Sequence, residues 1–576
     1  TRGSNLSATR VNEAQLIEKG RENLLKYSED LTKSQWANIR TTDTSGHTGY
    51  DGTANAYKII PTTDNNTHRL DYVDTWATSQ VYTFSFYAKA SGYDTIDIVI
   101  GGTSIGGAYG RFNLSTGTAS NVGASIAASM EDLDSGWYRC QVAQVSGSTT
   151  RINIGVNDGT AQSYVGDGTS GVLIQHPQLE QGLVATDYIE TTATTGKAGL
   201  LENTPRLDYS GGATCPSLLL EPSRANLIAQ SEYFESYAQN RVAFVYNATT
   251  SPEGLVNGAE FNDTATSGTH YVQLRSGVVG GGVMSFFAKQ NTHRYVQAGP
   301  SSSISKRVFF DLQDGVMATI GGSAESYYGI EDYGNGWYRC YVAFGDLENP
   351  SIFNAAGDGS GSIDNNYTGD GSGVYVYGAQ VEQNVSYKTS YIPTYGTSQT
   401  RTVDDTAALD LSPFGLNGED VTHFIEFKNN QAIIRDSGGT SFRFNSNAVN
   451  FGGLRIYRSN SNPKQLTVVF QDTNGDFVPN GYEMTSLNPK VAIKRVWSTG
   501  EIKLFVDGNK VIDAASTLYN SWNIVYMEGT GSTVEVKQLV SFPEALSDLD
   551  CEILTGATTY ETFDEMALAL NYTVYE

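Results

Sequence analysis

The chain of 576 residues carries 37 Lys and Arg against 62 Asp and Glu, a formal net charge of −25. With no basic stripe to neutralise phosphates, that balance excludes a nucleic-acid binder and disfavours anionic lipid; spread along the chain, it reads as solubility and mutual repulsion. Length asks for about three or four domains, and 61 Gly with 35 Tyr against only 17% charged residues gives β-rich punctuation, with turn formers clustered between alternating apolar runs.

Residues 1–22 are polar, with a short helical or extended stretch around 12–19. They cannot form a core alone and are expected to be an arm that needs a partner. Two copies of one module follow, at 23–195 and 226–402. Phe84-Ser85-Phe86-Tyr87-Ala88-Lys89 returns as Met284-Ser285-Phe286-Phe287-Ala288-Lys289, and Gly136-Trp137-Tyr138-Arg139-Cys140 as Gly336-Trp337-Tyr338-Arg339-Cys340. Gln178-Leu179-Glu180-Gln181 pairs with Gln380-Val381-Glu382-Gln383, and Asn23-Leu24-Leu25 with Asn226-Leu227-Ile228. A duplication of this length points to surfaces presented by an array rather than to one catalytic pocket.

Inside each copy the period is two. The strand at 81–89 places Tyr82, Phe84, Phe86 and Ala88 on one face; Tyr138, Cys140 and Val142 share a face, as do Tyr338, Cys340, Val342 and Phe344. Asp134-Ser135-Gly136 and Gly334-Asn335-Gly336 supply the turn before that strand. Segment 196–225, with Pro205, Gly211-Gly212 and Pro216, reads as a linker whose Leu218-Leu219-Leu220 docks on a neighbour.

A third, unrelated module at 403–545 shows strands at 421–427, 432–435, 466–470, 491–497, 502–506 and 524–527, with hairpin turns at 498–501 and 507–509. The tail, 546–576, opens helices at Ser547 with Asp550 and at Thr562 with Glu565, both capping-box pairs. The expected fold is all-β: three antiparallel β-sandwich (jelly-roll) domains in tandem, a short N-terminal arm and short C-terminal helices. Cys140 and Cys340 sit at equivalent strand positions and read as buried thiols, with Cys215 in the linker and Cys551 in a helix. No run of 18 apolar residues is present, so no membrane insertion is expected, and the start at Thr1 fits a processed or trimmed N-terminus.

These residues carry a family likeness. The segment Asn23-Leu24-Leu25-Lys26-Tyr27-Ser28-Glu29, the Gly-Trp-Tyr-Arg strands, and the closing patterns Asp187-Tyr188-Ile189 and Tyr391-Ile392-Pro393-Thr394 resemble the carbohydrate-binding-module-type jelly rolls of bacteriophage tail-fibre and virion structural proteins. Leu218-Leu219-Leu220-Glu221-Pro222-Ser223-Arg224-Ala225-Asn226-Leu227 resembles a segment that recurs in such proteins. The third module, through Trp497-Ser498-Thr499-Gly500-Glu501-Ile502-Lys503-Leu504-Phe505-Val506-Asp507-Gly508 and the exit Phe542-Pro543-Glu544-Ala545-Leu546-Ser547, resembles a laminin-G or concanavalin-like sandwich. The resemblance implies a non-enzymatic phage fibre or appendage protein on the virion surface. Its partners would be other virion proteins, further copies in a homotrimer, and host-surface glycan held by shallow Tyr- and Asn-lined faces. Two alternatives stand beside it: a purely structural capsid or tail decoration protein, and the accessory modules of a secreted polysaccharide-active protein.

The candidate carbohydrate-binding residues are Trp137 with Arg139 and Trp337 with Arg339, either as sugar-stacking platforms or as seals of the sandwich edge with Arg on the ring. Trp36 and Trp76 join them because they occur in one copy only. The resemblance also implies a structural Ca2+, for which Asp158, Asp167, Asp358 and Asp370 are candidate ligands; Asp-Gly is equally an ordinary turn. Asp472, Asn474, Asp476 and Glu483 imitate a calcium loop, with Phe477 where glycine is required. His68 and His270 are equivalent and read as structural strand positions. Gly102-Thr103-Ser104-Ile105-Gly106 matches a nucleophile elbow by chance, lacking the strand-to-helix context. No carboxylate pair for glycoside hydrolysis is discernible, so no enzyme activity is expected.

Overall fold

The computed structural model describes residues 6–103, 107–123, 125–355, 366–404, 409–414, 420–428, 440–445, 453–458, 465–471, 477–483, 486, 488–515, 524–527, 534–558, 560 and 562–570. They form antiparallel sheets and two short α-helices. Module one is two six-stranded sheets. One runs Thr118–Val122, Tyr109–Asn113, Thr95–Ile100, Arg151–Asn157, His68–Val73, Trp36–Ile39 in spatial order; the other runs Ala127–Asp132, Trp137–Val145, Val81–Ser91, Gly171–Gln181, Ala56–Pro61, Thr41–His47. Module two repeats both orders with its own twelve strands.

The alternation read from the sequence sets the packing. Tyr82, Phe84, Phe86 and Ala88 meet Ile96, Ile98, Ile152 and Ile154 of the facing sheet in one core. Cys140 lies opposite Phe86 and Cys340 opposite Phe286, and both thiols are fully buried. The opposite face of the same strand is covered too: Thr83, Ser85 and Tyr87 are buried, because the chain folds back after Gln181 and Thr83 donates its hydroxyl to the Gly182 carbonyl at 2.9 Å.

That return explains why the recurring motifs recur. In module one the Asn23 Oδ1 accepts from the amides of Leu25 and Leu179, while its Nδ2 donates to the Ile189 carbonyl at 2.8 Å. Gln178 Oε1 accepts from the Ile189 amide, and Glu180 takes both the amide and hydroxyl of Thr186. Module two builds the same lock from Asn226, Gln380, Glu382, Thr389 and Ile392. These side chains partner backbone groups that the fold-back would otherwise strand in the interior, as burial requires.

The third module comprises a seven-stranded sheet and a six-stranded one. Val421–Lys428, Lys490–Val496, Glu501–Val506 and Val534–Phe542 carry its core. Expected strand 432–435 lies outside the described residues. Asp507 and Gly508 both adopt left-handed backbone, and Val506 pairs with Asn509, so the two-residue hairpin forms as its Asp-Gly sequence dictates. The helices Asp548–Thr555 and Phe563–Ala569 start where Ser547 and Thr562 accept from the amides of Asp550 and Glu565. They bury Cys551, Leu554 and Met566 against Phe424, Phe505 and Phe542 on the outer face of the seven-stranded sheet.

Two connecting segments find the partners that their sequences call for. The arm is not loose: Thr9–Val11 and Ile17–Asn23 form a three-stranded sheet with Gly196–Gly199, and Lys19 is buried against module two. The linker 196–225 docks through its leucines. Its strand Ser217–Leu220 pairs with Val534–Phe542 and belongs to the third module's sheet. A buried ion cluster fixes the crossing: Glu221 Oε2 receives Arg206 at 2.7 Å and Arg401 at 2.9 Å, and Arg206 also meets Asp404.

Candidate functional site

The four tryptophans and two arginines singled out in the sequence are placed as structure, with one partial exception. Trp36, Trp137 and Trp337 are buried, which corrects the stacking-platform reading of those three rings. Trp36 donates its indole N–H to the Tyr27 carbonyl at 3.1 Å and meets Tyr72 edge-on; Trp337 donates to the Thr250 carbonyl at 2.9 Å. Arg139 and Arg339 serve the fold-back, donating to the carbonyls of Thr186 and Thr389 with their guanidiniums over Tyr87 and Phe287. The reading as seals holds for the two buried rings, but the arginines stack on Tyr87 and Phe287 and not on the tryptophans. Trp76 is half-buried, lying over Tyr72 with ring centres 6.1 Å apart.

The aspartates hold turns. Asp158 accepts from the amides of Thr160 and Ala161, Asp167 from Thr169 and Ser170, and Asp370 from Ser372. Hydrogen bonds from Ser170 and Thr169 hold the Asp167 carboxyl well below the usual carboxylate range. Asp358 and the calcium-loop imitators Asp472, Asn474 and Asp476 lie outside the described residues. Among the described residues no three His, Cys, Asp or Glu side chains converge as a metal site. His68 and His270 are buried with both ring nitrogens facing backbone carbonyls, those of Arg40 and Tyr164 in one copy and of Arg241 and Tyr367 in the other.

A different place carries the features of a ligand site. Between module two and the third module lies a cleft of about 670 Å³, lined by Tyr327, Tyr333 and Tyr341 on one wall and by Asp208, Lys428 and Glu535 on the other, within the range of small-molecule sites. The Tyr327 and Tyr341 rings are 4.9 Å apart and inclined at 36°. Lys388 lies 5.0 Å over Tyr341 and pairs with Glu331 at 2.9 Å; burial lowers its ammonium pKa despite that partner. Tyr333, half-buried, stands edge-on to Phe287.

Glu535 sits in the opposite wall on strand Val534–Phe542. Its Oε2 has no hydrogen-bond partner among the described residues, and Lys428 Nζ stops 3.7 Å away, beyond hydrogen-bonding distance. Burial first, and then the neighbouring Asp208, push its carboxyl up to about 8. At neutral pH it is an O–H donor facing polar space. A larger cleft of about 960 Å³ adjoins it beyond Lys428 and Asn488, but there Lys537 is paired with Glu426 and Lys490 donates to the carbonyls of Gly556 and Thr558.

The sequence held a signal for this site. Tyr327, Tyr333, Tyr341 and Lys388 stand where module one has Ala127, Leu133, Gln141 and Ala185. Departure from the sibling copy marks them as particular to module two, although it does not by itself mark a site, since Trp36, present in one copy only, lies in the core.

No family model matches this chain, and no curated protein matches it. Among solved structures it is similar to the CBM40 of a Ruminococcus gnavus IT-sialidase, with 14% identity over 27% of this chain and 94% of that one at a TM-score of 0.22. It is also similar to the N-terminal CBM22-1-CBM22-2 tandem domain of Paenibacillus barcinonensis Xyn10C, with 10% identity over 66% of this chain and 100% of that one at 0.22. A third likeness is to the LG1-3 region of the laminin alpha2 chain, with 10% identity over 82% of this chain and 95% of that one at 0.17. At such scores the likenesses leave the question of ligand to the geometry of the chain itself.

Proposed function

We propose that this chain is a non-enzymatic adhesion and scaffolding protein that holds glycan in the cleft between its second jelly roll and its third sandwich. The observation that carries the reading is the facing of two half-buried tyrosines, Tyr327 and Tyr333, which offer flat apolar surface with a hydroxyl at the edge, by a buried carboxyl that donates a hydrogen bond at neutral pH, with buried Tyr341 behind Lys388 backing the wall. Sugars present both matching features, C–H faces and hydroxyls. Hydrolysis is disfavoured because it takes a second, free carboxylate. Asp208 is committed to the amides of Val11 and Ser210, Asp332 to that of Gly334, and Glu331 to Lys388. The family resemblance of the repeats supports the finer reading, a fibre or appendage on a phage virion, assembled as a trimer with other virion proteins, in which many weak sites act together.

Glycan-array screening of the full chain tests the site, followed by titration of the best ligand. Tyr333→Ala is expected to weaken binding about tenfold, roughly the ~1.4 kcal/mol of a lost ring contact. Wild-type binding should fall as pH rises through about 8 and Glu535 ionises, whereas Glu535→Gln, which keeps a donor, should bind independently of pH. A ligand whose affinity ignores both changes binds elsewhere, and release of reducing ends would replace adhesion by catalysis.

A further inference from the structure

The two modules contain related acidic sockets, filled in different ways, with Tyr377 of module two replaced in module one by Gln175, which donates to Asp51 at 2.9 Å. In module two Lys19 of the arm enters it. Its Nζ lies 2.7 Å from Glu232, 2.8 Å from Glu253 and 2.9 Å from the Tyr377 hydroxyl, and Arg21 also pairs with Glu253. Ile17 donates its amide to the Pro252 carbonyl at 2.9 Å and packs with Phe287, Trp337 and Tyr391. Leu16 covers Gly254, where a Cβ would come within 2.8 Å of it. The socket has room because residue 378 is glycine in a left-handed backbone (φ 58°); a Cβ there would meet Phe287 at 3.0 Å and Tyr391 at 3.2 Å.

In module one Glu29, Asp51 and Tyr188 stand at the positions of Glu232, Glu253 and Tyr391. The residue in place of Gly378 is His176, also left-handed (φ 49°). Its Nε2 lies 2.9 Å from Glu29, as Lys19 lies beside Glu232, and its ring stacks on Tyr188 at 4.0 Å. The imidazole is buried, yet its Nδ1 has no hydrogen-bond partner among the described residues. No arm lies on the outer face among the described residues: a Cβ on Gly52, the counterpart of Gly254, would meet nothing within 4 Å, and Tyr50, 40% exposed, stacks on Tyr87 at 4.1 Å, in the place where Ile17 packs on Phe287, so an incoming segment must displace Tyr50 as well as His176.

We infer that this face of module one is a docking site for an extended, lysine-bearing segment of a second polypeptide, with His176 as the gate that fills the socket until the lysine displaces it. The occupant's chemistry follows from the one bound example: an apolar residue and a lysine two positions apart, on the same face of a strand, as Ile17 and Lys19 are. The acids Glu29 and Asp51 supply the charge complement. The arm of another copy is not the donor while its Lys19 stays in its own socket, 3% exposed.

A fluorescent peptide of residues 13–22, titrated against the full chain, tests this. His176→Gly, which restores the glycine of the sibling module, should bind one equivalent at least about tenfold more tightly than wild type. Glu29→Gln with Asp51→Asn in that background should remove the gain, and a peptide carrying Lys19→Ala should not bind. His176→Asn, compatible with left-handed backbone, repeats the measurement if the glycine variant melts early. Affinity unchanged by opening the gate overturns the inference. So does binding that survives loss of both acids, since the peptide would then be displacing the arm from module two.

Discussion

Glu221 and Glu535 are both buried glutamates near the same crossing, and they end on opposite sides of neutrality. Burial pushes the Glu221 carboxyl up, but Arg401 and Arg206 outweigh it and hold the group well below the usual range. Glu535 has burial, Asp208 and Glu221 against it, with Lys428 at 3.7 Å and then Lys388 in its favour, and rises to about 8. The sign for stability follows from linkage. Above the ordinary carboxylate value of 4.5 the unfolded chain releases the proton while folded Glu535 keeps it, so stability falls with rising pH until the folded group ionises near 8. At pH 7 that loss is about 3 kcal/mol. Glu535→Gln is therefore expected to raise the melting temperature at pH 7.5 and leave it unchanged at pH 4; equal shifts at both would remove the carboxyl from its assigned state. Of this site neither the tyrosines nor Glu535 was named from the sequence: the tyrosines left a trace in their absence from module one, and Glu535 left none. A glutamate alternating with Val534 and Val536 reads as an ordinary solvent-facing strand residue, and its burial comes from module two closing over it.

The strands, turns and caps were legible because each has a local cause: period two, left-handed Asp-Gly pairs, and Ser or Thr three residues ahead of an acid. Short paired segments were not. Ile17–Asn23 and Ser217–Leu220 are too brief and mixed to show a period, and their structure comes from the edges they meet. The arm is the clearer case, since its lysine is what makes it an element. Lys19 Nζ neutralises Glu232 and Glu253, each side chain no more than 6% exposed, and lowers the Glu232 carboxyl against the opposing effect of burial. Lys19→Met leaves Glu232 buried without its ammonium partner and should cost about 3–5 kcal/mol. Differential scanning calorimetry should show an earlier melt of module two, and trypsin should gain access to Arg21. The contribution exists above the carboxylate's ordinary value of 4.5 and is lost as pH falls below it, so wild type and variant should converge in acid.

Across the whole molecule the three sandwiches are not beads on a string, because the chain crosses between them before and after module two. Leu218, Leu219 and Leu220 pair with Val536, Glu535 and Val534, and Leu220 is part of the third module's core. Leu219, Glu221 and the tyrosines of module two wall the cleft that Glu535 faces. A fragment of residues 403–576 therefore carries a bare strand edge at Val534–Phe542, a template for pairing with another chain, and only one wall of the proposed glycan site. It should self-associate in light scattering, melt below the corresponding transition of the full chain, and fail to bind the glycan that the full chain binds. Adding a peptide of residues 205–222 should restore the monomer and raise the melt, because it returns the edge strand; it should not restore glycan binding, because the tyrosines remain absent. A monomeric, fully stable fragment that binds the glycan unaided would show that the third sandwich is complete without its neighbours and that the cleft is not the site.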